Sequence, residues 1–170
     1  MDTMNTLPAE TREDLIRRAW YSHDARWYML VAREFGFEVA NRLNHAAVRA
    51  IGELEATRLA RATGTSPARS VDDFLAFMDG GRQIYVAPPL IELAARKTSE
   101  HEYEIDITRC FVAQNITKAG IGDQYECAVF DRVQGWHNAL GIPLAEEPPA
   151  THCPAIRGAA CHRSMTIREA

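Results

Sequence analysis

The chain has 170 residues, 46% of them hydrophobic, which is material for one domain with a proper core. Its net charge is −4 and it carries no long basic run, which argues against a nucleic-acid-binding surface. No stretch approaches the ~20 apolar residues of a membrane span, and Met1 to Glu10 has neither an apolar run nor a basic start, so no export signal is expected. The expected compartment is the cytoplasm, where thiols stay reduced and disulfides are the less favoured use of four cysteines.

In chain order, Thr11-Arg12-Glu13-Asp14 reads as a helix start with acids in its first turn. The helix runs to about Phe35, with an apolar stripe of Ile16, Trp20, His23, Trp27, Leu30, Val31 and Phe35 spaced by threes and fours. Gly36 interrupts, and a second helix carries Phe37, Ala40, Leu43, Ala47, Val48, Ile51, Leu54 and Leu59 to near Gly64. The pattern fits a helical hairpin or one broken long helix. Ser70-Val71-Asp72-Asp73 opens a short helix that Gly80-Gly81 is expected to stop. Ile84 to Pro89 reads as extended or irregular, and Leu90 to Arg96 as a helical turn or two. Glu102 to Cys110 alternates strictly and reads as a strand, with Tyr103, Ile105 and Ile107 on one face and Glu104, Asp106, Thr108 and Cys110 on the other. A short helix follows, and another from Asp123 to about Leu140 carries Cys127, Trp136 and His137 before Gly141 ends it. Glu146-Glu147-Pro148-Pro149 reads as a linker. The expected fold is α+β: an N-terminal helical hairpin packed on a small antiparallel sheet with a C-terminal β-hairpin.

That closing hairpin is where sulfurs gather. A turn at Arg157-Gly158 places Cys153 opposite Cys161, and cross-strand neighbours on one face sit ~5 Å apart. Cys127, Cys153 and Cys161, with Glu104 or Cys110, form the strongest constellation, since zinc takes four tetrahedral ligands and keeps thiolates deprotonated. The gaps are not those of a zinc ribbon, and the bland alternative is that buried cysteines act as small apolar residues. His152 and His162 point away from the cysteines they flank. Cys110 as a nucleophile is disfavoured by the carboxylates expected beside it.

The strand ending in Cys110, the segment with Cys127 and the closing THCPAIRGAACHRSMTI resemble the 4-vinyl-reductase-type small-molecule-binding domain. The resemblance implies zinc held by Cys127, Cys153 and Cys161 with Glu104 as the acid. Trp20-Tyr21-Ser22-His23-Asp24-Ala25-Arg26-Trp27, Glu34-Phe35-Gly36, Ala40-Asn41 and Gly52-Glu53-Leu54-Glu55 are similar to the family around L-2-amino-thiazoline-4-carboxylate hydrolase. That family's founding activity opens a cyclic thiazoline amino acid with water to give an N-carbamoyl-cysteine.

Read from the residues, His23 lies between two tryptophans on the apolar stripe, where burial would keep it neutral as a general base. Asp24 is one step round the helix and cannot readily bond it. Asn41, Asn44, Gly52 and Glu55 share a stripe of the second helix, so Asn41 or Glu55 would complete a polar pocket walled by Trp20 and Trp27. The alternative is a buried histidine holding two helices in register, with the tryptophans as core. His45, Arg49 and Glu53, four apart, read as a solvated face.

Two functions are expected from this. One is a small hydrolase acting on a C–N bond of a cyclic amino-acid-like substrate, with His23 as base, Asp24 or Glu55 as orienting acid and a structural zinc. The other is a non-catalytic, zinc-braced small-molecule-binding module of the sensor kind. Partners are a small molecule and, through the apolar first helices, a second copy as homodimer.

Overall fold

A computed structural model describes residues 7–65, 67–146, 148 and 151–168. The protein is α+β, with helices first and then a three-stranded antiparallel sheet of order β1-β2-β3. The chain divides into two compact units, Met1–Ala40 and Asn41–Ala170.

In the first unit, α1 spans Ala9–Phe35 behind Pro8, so the expected capping acids sit inside the helix, where Asp14 pairs with Arg18 at 2.6 Å. Gly36, at φ 85°, ends α1, and α2 (Phe37–Thr63) begins at once. The buried face of α1 is Tyr28, Val31 and Ala32, which keeps Val31 of the expected stripe and otherwise lies one step round from it. Ile16, Trp20, Trp27, Leu30 and Phe35 are exposed instead, and so is His23.

In the second unit, Ser70 caps α3 (Val71–Tyr85) by accepting the Asp73 N–H at 3.1 Å. This helix continues through Gly80-Gly81 because Gly81 lies against the Trp136 ring, where a side chain would crowd it. Ile91–Lys97 is strand β1, not helical turns: Ile91, Leu93 and Ala95 face inward and pair with β2 (Glu102–Cys110), so pairing overrides propensity. After α4 (Phe111–Ala119), residues 123–128 remain outside a helix, and α5 (Val129–Leu140) starts beyond Cys127. The expected linker lies largely outside the described residues, since Glu147 and Pro149 are among those not described.

The closing hairpin is also revised. Pro154–Arg157 forms a 3₁₀ turn ended by Gly158 at φ 72°, and β3 (Cys161–Thr166) pairs with β2, not with a strand through Cys153. Pro154 has no N–H to give a ladder and its fixed φ suits the first position of such a turn.

The inner face of the sheet, Ile91, Tyr103, Ile105 and Met165, packs on Val71, Phe74 and Met78 of α3 and on Phe130, Trp136 and Leu140 of α5. Each such side chain contributes ~2 kcal/mol on burial, whereas an exposed pair such as Lys97–Asp72 is screened by solvent and adds little. This apolar layer is therefore what holds the unit together. One polar residue is sealed within it. His137 gives its Nδ1–H to the Ile142 carbonyl at 2.7 Å, accepts the Tyr103 hydroxyl on Nε2 at 2.7 Å, and stacks on Phe74.

Helices α2 and α5 cross through two glycines. A Cβ built on Gly135 would lie 2.3 Å from the Arg49 carbonyl oxygen, and one on Gly52 would lie 2.4 Å from that of Arg132. Backbone atoms cannot swing aside, so Gly135→Ala should lower stability by ~2 kcal/mol in urea unfolding, overpacking outweighing alanine's helix preference. Gly80→Ala, with open space around it, should raise stability by ~0.5 kcal/mol. Burial pushes the His137 pKa down to about 4. The unfolded chain therefore takes a proton below pH ~6.5 that the folded chain refuses. Stability should be full above that pH and fall by about 3 kcal/mol towards pH 4, a loss absent from His137→Gln.

Candidate functional site

The crossing sets the spacing of a polar group between α2 and the first turn of α5. Asp131, buried, accepts from two side chains one turn apart on α2. His45 Nδ1 lies 2.6 Å from its Oδ2, and an Arg49 guanidinium N–H reaches Oδ1 at 3.1 Å. With Nδ1–H given to Asp131, the second imidazole nitrogen of the neutral ring carries its lone pair outward. That Nε2 is buried, finds no hydrogen-bond partner among the described residues, and has Glu126 Oε2 3.7 Å away. His45, Ala46, Arg49, Ala50 and Glu53 line an open groove of about 360 Å³. A carboxylate that fixes an imidazole by Nδ1 is the pairing of a general base, and because Nε2 is buried a shift of the side chain is needed to bring it to water in the groove.

The groove's surroundings are equally fixed. Asn41 uses both ends of its amide on one short segment, donating to the Gln124 carbonyl at 2.7 Å and accepting the Glu126 N–H at 3.2 Å. Glu126 also forms an antiparallel bridge with His152, and Cys127 donates its N–H to Thr151 at 2.8 Å. At the far end of the groove, Asn138 donates to Glu53 at 2.9 Å.

The other expected site residues fall elsewhere. Glu55 is buried, accepts the Trp136 indole N–H at 3.1 Å and has Arg132 at 3.5 Å. Burial pushes its carboxyl up in pKa, and Arg132 and the indole partly offset this. It is a tie between α2 and α5. Asn41 holds a loop, as described. His23 is exposed and Asp24 half-buried on α1, with Trp20 52% and Trp27 61% exposed, so the sealed aromatic wall expected around His23 is not what α1 presents.

The sulfurs do converge, but by another route than a hairpin. The β1–β2 register skips Thr108: Leu93 pairs with Ile107, and Glu92 with Arg109. This bulge leaves both Thr108 and Arg109 exposed and turns Cys110 to the side of Ile91, Ile107 and Cys161. Strict alternation had placed Cys110 with Glu104. Glu104 instead stays on the outer face, paired with Arg96 and opposite Ser164, and does not join the thiols. Cys110, Cys127, Cys153 and Cys161 each lie within electrostatic reach of the other three. Burial raises the Cys110 thiol, pushes Cys127 up to about 12 and Cys161 up to about 11. Among the described residues no three His, Cys, Asp or Glu side chains already stand as the shell of a metal ion; the thiols are neighbours, not a formed ligand set.

Residues 14–141, three quarters of the chain, match the family of L-2-amino-thiazoline-4-carboxylic acid hydrolase. The chain belongs to this family. The matched span contains His45, Arg49, Glu126 and Asp131, as well as Cys110 and Cys127, and stops before Cys153 and Cys161. No curated protein and no solved structure matches the chain, and no comparison supports the 4-vinyl-reductase resemblance of the closing segment. Among the described residues no helix is long and apolar enough to cross a membrane.

His45, Arg49 and Glu53 were legible as one helix face but read as solvent-facing. The available signal was Gly52 beside them and Gly135 in the later helix, small residues that let another helix come close.

Proposed function

We propose that the protein is a hydrolase that opens a small thiazoline-carboxylate ring, with His45 as general base and Asp131 as the acid that orients it. These take the roles expected of His23 and Asp24. The observation that carries the reading is the His45–Asp131 contact at a residue that lines a groove, in a chain of this hydrolase family. Water held at Nε2 gives up a proton and adds to the ring carbon between nitrogen and sulfur. The substrate enters as the protonated amidine, so its ring nitrogen already bears the N–H of the product. The adduct collapses to a carbonyl and releases its second proton to solvent, while the first returns from His45 to the departing sulfur. The bond that opens is C–S and not C–N, because N-carbamoyl-cysteine keeps both nitrogens on that carbon. Arg49, at the groove wall, supplies positive charge for the substrate carboxylate.

Turnover of 2-amino-thiazoline-4-carboxylate, followed by thiol release, tests this. His45→Ala should lower kcat/KM by ~10³-fold, within the range of general-base catalysis, measured below a melting temperature that falls as buried Asp131 loses one of its two donors. Asp131→Asn should lose most of the rate too. Full turnover in His45→Ala, with loss in His23→Ala, would return the base to α1. Wild-type protein that binds the compound without releasing thiol would be a binding module.

The thiol group supports a structural zinc held by Cys110, Cys127, Cys153 and Cys161, with Cys110 in place of Glu104. Sulfur donors suit zinc, and a bound ion would keep deprotonated the thiols that burial otherwise holds neutral. The ion would brace the chain around Cys127 and take no part in the chemistry. Elemental analysis should find about one zinc per chain, lost in Cys153→Ser. Metal-free protein of unchanged stability would remove the zinc from this account.

A further inference from the structure

We infer that Glu126, beside His45, is the specificity-determining residue, pairing with a cationic amidine on the substrate, and that Asn41 is its positioning residue. This rests on the hydrolase reading. The reacting carbon must come to His45 Nε2, and the polar side chain beside that atom is Glu126, 3.7 Å away. A substrate whose reacting carbon also bears an amino group therefore presents that group to a carboxylate. An amidine-like N–C–N unit is planar and delocalised when protonated, and its two N–H groups match the two carboxylate oxygens as a fork. Glu126 is partly exposed, so it is open to a ligand, yet its backbone is fixed from both sides. Asn41 clamps Gln124 and Glu126, and the His152 bridge holds the opposite edge. A carboxylate on a pinned backbone discriminates by charge without the cost of ordering a loop. Glu53, an acid that lines the groove, is two turns along α2 from His45 and bonded to Asn138, so it faces a different part of any ligand.

The test compares 2-amino-thiazoline-4-carboxylate with 2-methyl-thiazoline-4-carboxylate, which lacks the second nitrogen. Glu126→Gln should raise KM for the amino compound at least tenfold, leave its kcat within about threefold, and leave the methyl compound unaffected. Asn41→Ala should shift KM the same way for the amino compound alone, whereas a purely structural role would lower the melting temperature and affect both compounds alike. Should Asn41→Ala fail to fold, Glu126→Gln decides by itself. Equal changes for both compounds, or none, overturn the assignment while leaving the hydrolase reading intact. If the wild type turns over neither compound, the hydrolase reading falls. Calorimetric binding of the same pair then decides: a preference for the amino compound that Glu126→Gln abolishes upholds the assignment, and equal binding or none overturns it.

Discussion

Backbone contact between α2 and α5 at Gly52 and Gly135 is the constraint from which the rest of the second unit follows. Helices separated by ordinary side chains hold their axes 8–10 Å apart, and at that spacing short side chains such as aspartate reach less far into the neighbouring helix. Here the glycines remove the spacer. Asp131 then reaches His45 and Arg49 on one side of the crossing, while Trp136 and Arg132 reach Glu55 on the other. A buried carboxylate without partners costs several kcal/mol, and two donors on Asp131 offset that cost. The same two donors fix the imidazole, so the interaction that makes the burial tolerable also aims Nε2.

Much of the architecture could be read along the chain because it is written in local periodicity. Helices α1, α2 and α3, strand β2 and the Gly141 stop all emerged from spacing and turn residues. Strand β1 did not, since Ile91 to Lys97 becomes a strand only by pairing with β2. The reversal after Cys153 was visible but mistaken in kind: a proline-led 3₁₀ turn bends the chain as a hairpin would, without a ladder.

The polar site was harder to read, for a reason of distance along the chain. His45 and Asp131 are 86 residues apart, and nothing in the helical pattern around His45 distinguishes a solvated imidazole from one awaiting a distant acid. His23 looked the better base because two tryptophans flank it, but the helix rolls by one residue and leaves all three at the surface. Among the sulfurs, Cys127, Cys153 and Cys161 lie in one neighbourhood without forming a ligand set among the described residues. Whether Glu104 or Cys110 stood with them turned on a register irregularity that alternation could not reveal.

That irregularity makes chain length, more than residue type, the variable at Thr108. A strand is a two-state indexing device: each residue flips the side that the next one serves. Skipping one position in the pairing hands the interior a sulfur that strict indexing would have left in water. Replacing Thr108 by another exposed residue leaves the count untouched. Deleting it resets the count, so the route by which relatives could gain or lose the fourth sulfur from this cluster is insertion and deletion, with Cys110 itself unaltered.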